Sequence, residues 1–370
     1  MRPSTIRAWS FVHTWTSLVC TAFVLLLCVT GLAMIWIHEI DANYADHPAV
    51  AQVAAGHPPA NLDAVFADAV KRAPGERVTY ADWAFEGDLL GVNMAPPDNP
   101  KPNRQLVYDA RTGDFLEDTR KDNPNHPVRV FLRIMNRLHI QLFLGLPGEL
   151  FLAGMAALFV IATVSGVVLY VPFTRKLDFG VVRAERSGRA GWLDAHNLIG
   201  IATVGWVLVV AVTGIMNAFT VPAYQAWRKA TVPALVAPYK NQPLQPSHIG
   251  PQEAKERGES ANPGSRMVRI TPPGGKDGSP RHWVVWTQGS TPVTRKLFRP
   301  VLVAADTGAV TLSGPPPWWL STLQMSRPLH FGDYGGVPLK VLWTILDLIA
   351  IGVLVSGLKL FIDKRRRQAP

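Results

Sequence analysis

Four stretches of this chain are apolar for long enough to cross a hydrocarbon layer, which takes about 20 residues of helix. They are residues 11–37, 150–173, 198–221 and 337–362. Backbone amides cannot stay unpaired in lipid, so each stretch is expected to be a helix. Polar stretches at 39–148 and 222–336 separate the first span from the second and the third from the fourth. The chain therefore reads as an α-helical membrane protein with four transmembrane helices and two sizeable extramembrane domains.

A formal net charge of +10 would suggest nucleic acid in a soluble protein, but its distribution argues for a membrane. Arg175, Lys176, Arg183, Arg186 and Arg189 crowd the short loop, Lys364, Arg365, Arg366 and Arg367 follow the last span, and Arg2 and Arg7 precede the first. The positive-inside rule places such flanks in the cytoplasm. Both termini and the short loop are expected inside and both large domains outside, with membrane lipid as the partner and no nucleic acid. The first apolar run is longer than a signal core and lacks an A-x-A site, so it is expected to be retained. Cys20 and Cys28 both fall within it, about 12 Å apart along a helix, too far to bridge.

The chain is written twice. Trp9, His13 and the triplet Val29, Thr30, Gly31 have their match in Trp192, His196 and Val212, Thr213, Gly214. His to Gly is 18 residues in both (31 − 13 and 214 − 196). Likewise His139 precedes Val164, Ser165, Gly166 as His330 precedes Val355, Ser356, Gly357, at 27 residues (166 − 139 and 357 − 330). The fold is thus expected to be an internal duplication, two helices plus two, with an α+β module outside in each half. Helical segments at 62–73 and 251–258 and strands near 77–83, 106–108, 266–271, 281–287 and 299–306 carry that expectation. Turns at 108–113 and 304–308 close on Asp, Thr and Gly.

Topology gives the repeated histidines a purpose. His13 and His196 enter from the inner face, while His139 and His330 lie just before the even-numbered spans at the outer face. Two imidazoles from different helices suit a six-coordinate electron-transfer haem. C-x-x-C-H is not present, so two non-covalent, bis-histidine haems b are expected. Eighteen residues of helix cover roughly 27 Å, nearly the bilayer. Gly31 and Gly214 therefore reach the level of His139 and His330, and Gly166 and Gly357 that of His13 and His196. The four glycines serve as a haem wall or as helix packing.

His38 has no repeat counterpart (38 + 183 falls on Val221) and is an alternative outer ligand. His47, His57, His126, His248 and His282 lack ligand-like spacing and read as surface residues. Asp347 is the acidic residue deep in a span, a functional candidate. Trp318 and Trp319 read as an interfacial aromatic belt.

Trp9, His13, Thr30 and Gly31, then Leu138, His139, Leu142, Phe143, Leu144 and Gly145 before Ser165 and Gly166, resemble the PepSY-associated transmembrane proteins. So do Leu329, His330, Phe331 and Gly332 before Gly335, Gly336, Ser356 and Gly357. Within that family the chain is most similar to bacterial inner-membrane ferric-siderophore reductases of the ferrioxamine-reductase type. The resemblance implies two periplasmic PepSY-like domains and reduction of a periplasmic Fe(III)-siderophore to Fe(II) by electrons crossing through two haems. The layout it implies is transmembrane helix 1 over 1–38 and a PepSY-like domain over 39–127. An interfacial helix and helix 2 follow over 128–174, a cytoplasmic loop over 175–191 and helix 3 over 192–221. A second PepSY-like domain covers 222–316, an interfacial segment and helix 4 cover 317–363, and a basic tail covers 364–370.

G-x-G-x-x-G and Walker signatures are not found, so the electron donor is expected to be external, a quinol or a separate cytoplasmic reductase. Three other readings remain at this point. One is a quinol-linked dihaem cytochrome serving another periplasmic acceptor. Another is a haem-free peptidase-binding or regulatory PepSY protein, which would not need the four histidines. The last is an iron or chelate transporter, whose histidines would gather near mid-bilayer rather than at two faces.

Overall fold

The computed structural model describes residues 2–45, 47–54, 56–84, 88–99, 104–120, 127–174, 188–239, 247–274, 279–291 and 293–367. Arg175, Lys176, Arg183, Arg186 and His126 lie outside the described residues. The chain divides into two units, one of Met1–Glu39, Phe131–Val221 and Ser326–Pro370, the other of Ile40–Val130 and Pro222–Met325.

Among the described residues, the first unit holds four helices long and apolar enough to cross a membrane: α1 (Pro3–Ile35), α5 (Leu146–Thr174), α6 (Gly188–Val236) and α9 (Gly336–Arg366). Their apolar residues run all round the helix, as in membrane spans. Phe11, Val19, Val29, Ile345 and Leu348 point outward and stay exposed, while Cys20, Val24 and Leu354 pack inside with Met155, Leu158 and Phe159. Both cysteines are free. Helix α6 runs beyond the apolar stretch through Pro222 and Pro233. A short helix, α2 (Ile37–Tyr44), follows α1. Trp36, between them, donates its indole N–H to the Thr344 hydroxyl at 2.9 Å, and buried Lys340 meets Glu39 at 2.7 Å.

Two shorter helices, α4 (Pro127–Gln141) and α8 (Trp318–Phe331), carry His139 and His330 close to their C-terminal ends. After α4 the chain turns through Leu142 and Phe143 at φ 49° and 61°, a left-handed conformation uncommon for residues with a side chain. After α8 the same job falls to Gly332 at φ 67°, where a Cβ would also stand 2.7 Å from the Trp343 indole. Trp318, at the start of α8, is 80 % exposed.

The second unit is built on one eight-stranded antiparallel sheet in the order β4-β3-β2-β1-β5-β6-β7-β8. The strands are β1 (Arg77–Ala84), β2 (Leu89–Ala95), β3 (Arg104–Asp109), β4 (Phe115–Arg120), β5 (Ser265–Thr271), β6 (His282–Gly289), β7 (Phe298–Ala304) and β8 (Val310–Leu312). The two extramembrane stretches thus share a sheet, joined at β1 and β5 through Ala81 opposite Ile270 and Asp82 opposite Arg269. Helices α3 (Leu62–Arg72) and α7 (Pro251–Ala261) contribute to one core with Leu90, Val92, Leu106, Tyr108, Val285, Val301 and Val303. Their N-termini clasp each other: Gln252 accepts from the Leu62 amide and Asp63 from the Gln252 amide, both at 3.1 Å. Such side-chain acceptors satisfy amides that a helix start leaves unpaired. Both expected turns are present, with Gly113 and Gly308 left-handed.

Candidate functional site

At one site, the imidazoles of His13 on α1 and His196 on α6 face each other with ring centroids 6.4 Å apart and planes at 67°. At the other, His139 on α4 and His330 on α8 stand 6.2 Å apart at 63°. Each pair lines a cavity, of about 490 Å³ around His13 and His196 and about 330 Å³ around His139 and His330. Both fall in the size range of small-molecule and cofactor sites.

The hydroxyl–glycine motif explains how each ring is held. Thr30, Ser165, Thr213 and Ser356 bond back to a carbonyl three or four residues earlier in their own helices, at 2.6–2.9 Å. Each also meets the Nδ1 of a histidine: Thr30 with His139 at 2.8 Å, Ser165 with His13 at 3.3 Å, Thr213 with His330 at 3.2 Å and Ser356 with His196 at 2.9 Å. The same Nδ1 reaches a backbone carbonyl three positions before the hydroxyl residue. His13 bonds Ala162 at 2.8 Å, His330 bonds Val210 at 2.9 Å and His196 bonds Val353 at 3.1 Å, and the Leu27 backbone is the corresponding partner of the His139 ring. A carbonyl can only accept, so the proton sits on Nδ1 and Nε2 keeps its lone pair for a metal.

The following glycine is the seat of the ring. A Cβ at Gly166 would lie 3.1 Å from the His13 Cε1, and at Gly357 and Gly214 3.2 Å from those of His196 and His330. At Gly31 it would lie 3.4 Å from the His139 Cε1. A side chain at Gly166, Gly214 or Gly357 crowds the imidazole, while at Gly31 a Cβ would stand at the edge of ordinary contact.

These distances test what the sites can hold. A metal–imidazole bond is about 2.0 Å and a ring centroid lies about 1.1 Å behind its nitrogen, so two imidazoles held by one iron from opposite sides would have centroids roughly 6.2 Å apart. The observed 6.4 and 6.2 Å fit that arrangement. Among the described residues no three His, Cys, Asp or Glu side chains gather to hold a bare metal ion. Such a donor set would suit a cofactor that brings most of its metal's ligands itself and needs two imidazoles, as haem can.

The remaining candidates fall elsewhere. His38 is exposed on α2 and lines neither cavity. His47 pairs with Asp41 and Arg129, and His57 and His248 are exposed. His282 corrects the expectation of a surface residue. It is fully buried at the start of β6, its Nδ1 2.6 Å from the Ser279 hydroxyl and its Nε2 3.0 Å from the Thr311 hydroxyl. Burial holds its pKa below the usual histidine value, with Arg281 pushing the same way and Asp306 opposing.

Asp347 lies in the wall of the His139/His330 cavity, 5 % exposed, beside the Cys28 thiol. The sequence reading missed the four carbonyls that orient the rings, although their constant offset from the hydroxyl residue was there to be found. It also missed Trp343, whose indole N–H donates to the His330 carbonyl at 3.1 Å.

No curated protein matches the chain. The model of the PepSY-associated TM region matches residues 10–364, a span that takes in most of α1 and α9, all of α5 and α6, the sheet and both histidine pairs. The chain belongs to the family of PepSY-associated transmembrane proteins.

Proposed function

We propose that this protein is an inner-membrane oxidoreductase that binds two haems b and reduces periplasmic Fe(III)-siderophore to Fe(II), releasing the iron. The ring spacing carries the reading: two histidine pairs at 6.4 and 6.2 Å, each ring locked through Nδ1. His13 and His196 would hold one haem, and His139 and His330 the other. Bound haem would supply an iron able to accept and give up one electron.

The protein's own part is positional. The carbonyl at Nδ1 fixes each ring's rotation and makes Nε2 a better donor, the hydroxyl steadies the same nitrogen, and the glycine lets the ring approach its neighbouring helix. Fe(II) is held far more weakly than Fe(III) by most siderophores, so delivery of one electron suffices to free the iron. The electron donor would be a quinol or a cytoplasmic reductase.

The topology belongs to the same proposal. Basic residues at 2, 7, 189 and 364–367 favour cytoplasmic termini and periplasmic polar domains. The matched His-to-Gly spacings and the mirrored strand order on either side of β1 and β5 support a duplicated origin, two helices plus two with a PepSY-like domain each.

Visible spectra of the purified protein, oxidised and dithionite-reduced, with haem counted against protein, test it. Sharp reduced bands of a six-coordinate b-type cytochrome at two haems per chain, followed by reoxidation on adding ferric siderophore, are expected. Two haems that ferric chelates fail to reoxidise would favour a quinol-linked cytochrome with another acceptor. A colourless protein after haem-supplemented expression would sink the haem reading and leave a peptidase-binding membrane protein.

A further inference from the structure

The carboxyl of Asp347 is out of place by every rule of membrane burial. It lies on α9 with 5 % exposure; the neutral Cys28 thiol hydrogen-bonds its carboxyl, but its Oδ2 is without a hydrogen-bond partner among the described residues. A charge so placed is costly unless something opposite in sign stands near it. The other charged side chains of that cavity are Glu149, which is no help, and Arg327, which is exposed. Lys340 is engaged with Glu39.

Position and asymmetry show what Asp347 faces. A Cβ on Gly31 would touch both the His139 Cε1, at 3.4 Å, and the Asp347 Oδ2, at 3.8 Å. The carboxyl and the imidazole therefore share one glycine. By the offset that relates His139 to His330 (330 − 139), Asp347 corresponds to Ala156. By the offset that relates His13 to His196 (196 − 13), its neighbour Cys28 corresponds to Ala211. Both alanines line the same cavity. The polar pair is present once, in one half of the sequence pattern. The cavity around His13 and His196 has no acidic residue among its described lining.

We propose that Asp347 is a potential-setting residue for the His139/His330 site: its carboxylate lowers the reduction potential there and leaves the other site untouched. This rests on the haem reading above. A ferric porphyrin with two neutral imidazoles carries one net positive charge at its core, and the ferrous form carries none. A carboxylate that shares the Gly31 seat with one of the imidazoles would stabilise the first and not the second, while the ferric core would offset the burial of the carboxylate. Asp347 acts through this charge difference and ligates nothing.

The test is an optical redox titration of the full-length protein in detergent at one fixed pH. Wild type is compared with Asp347→Asn, Asp347→Glu and Ala156→Asp, and His330→Ala identifies the component belonging to the His139/His330 site. In Asp347→Asn that component is expected to become easier to reduce by at least tenfold, ~59 mV for one electron, with the other unchanged. Asp347→Glu should stay near wild type. Ala156→Asp should shift the same component in the opposite direction, and it decides the matter if Asp347→Asn does not fold. No shift in either charge-changing variant, an equal shift of both components, or a shift confined to the His13/His196 component would each overturn the proposal. A wild type without two reducible haem components would overturn the haem reading as well; two components with Asp347→Asn unmoved would overturn only the role of Asp347.

Discussion

Around His13 and His196 the cavity wall carries Ser10, Thr14, Ser17, Thr21 and Asn197, with Arg189 and Lys364. Around His139 and His330 it carries Cys28 and Asn217 among Val24, Leu27, Ile35 and Ala211, with Asp347, Glu149 and Arg327. Yet the ring pairs differ by only 0.2 Å in separation (6.4 and 6.2 Å) and 4° in tilt (67° and 63°). Ring placement follows from the hydroxyl–glycine seats on α1, α5, α6 and α9, which do not involve the rest of the wall. Geometry and electrostatic setting are therefore separable here, and either can be altered while the other stays.

Removing a ligand should have the largest effect. His13→Ala and His196→Ala are each expected to lose one and the same haem, and His139→Ala and His330→Ala the other, taking haem from two per chain to one. Loss of the same spectral component from His13→Ala and His139→Ala would undo the pairing.

Filling a seat comes next. Gly166→Leu or Gly357→Leu should empty the His13/His196 site, and Gly214→Leu the His139/His330 site, with the second haem retained in each case. Alanine should act more gently and in the order of the clearances, most at Gly166 and least at Gly31. Haem loss to an apoprotein scavenger would rank them, and equal rates across the four would count against the seats.

A smaller effect is expected from the hydroxyls, since one hydrogen bond contributes about 1 kcal/mol net, roughly fivefold in affinity. Ser356 lies nearer to the His196 Nδ1 than the Val353 carbonyl does, 2.9 against 3.1 Å, whereas Ser165 lies farther from His13 than Ala162 does, 3.3 against 2.8 Å. Ser356→Ala should therefore weaken haem retention more than Ser165→Ala, measured by the same scavenger rates. The reverse order would show that the hydroxyls do not support the rings directly.

The smallest effect belongs to the sheet. His282 is buried with its pKa lowered from 6.5, so the unfolded chain takes up its proton first as pH falls. The stability from its neutral form is present above about pH 6.5 and drains away below it. Protection factors of the β6 amides, taken relative to intrinsic exchange at each pH, should fall on acidification to pH 5, and His282→Gln should flatten that dependence. An unchanged slope in the variant would assign the effect to another group.

The spans and all four paired histidines were legible because their signals lie along one chain: unbroken apolar runs and spacings that recur unchanged. The sheet was half legible. Five strands could be read, but β2 is buried on both faces, so Leu89–Ala95 shows no alternation of apolar and polar residues. The joint between β1 and β5 could not be read at all, since it pairs residues far apart in sequence through two positions. His282 was misjudged because nothing local marks a histidine whose partners, Ser279 and Thr311, arrive from a turn and an edge strand. The ring-orienting groups were hidden for another reason. They are backbone carbonyls, which every residue has, so only the hydroxyl residue three positions later could betray them.

Each hydroxyl–glycine seat holds a histidine from its own half of the chain, Gly31 with His139, Gly166 with His13, Gly214 with His330 and Gly357 with His196, while each ring pair spans both halves. A group bound across either pair would be a cross-link between residues 183 or 191 positions apart (196 − 13 and 330 − 139). Because only the assembled bundle brings such rings together, the bound group would stabilise assembly by mass action, ~4 kcal/mol at a thousandfold excess over its dissociation constant. The membrane unit's lifetime would then follow cofactor supply, and a cell short of haem would lose the protein itself along with its activity.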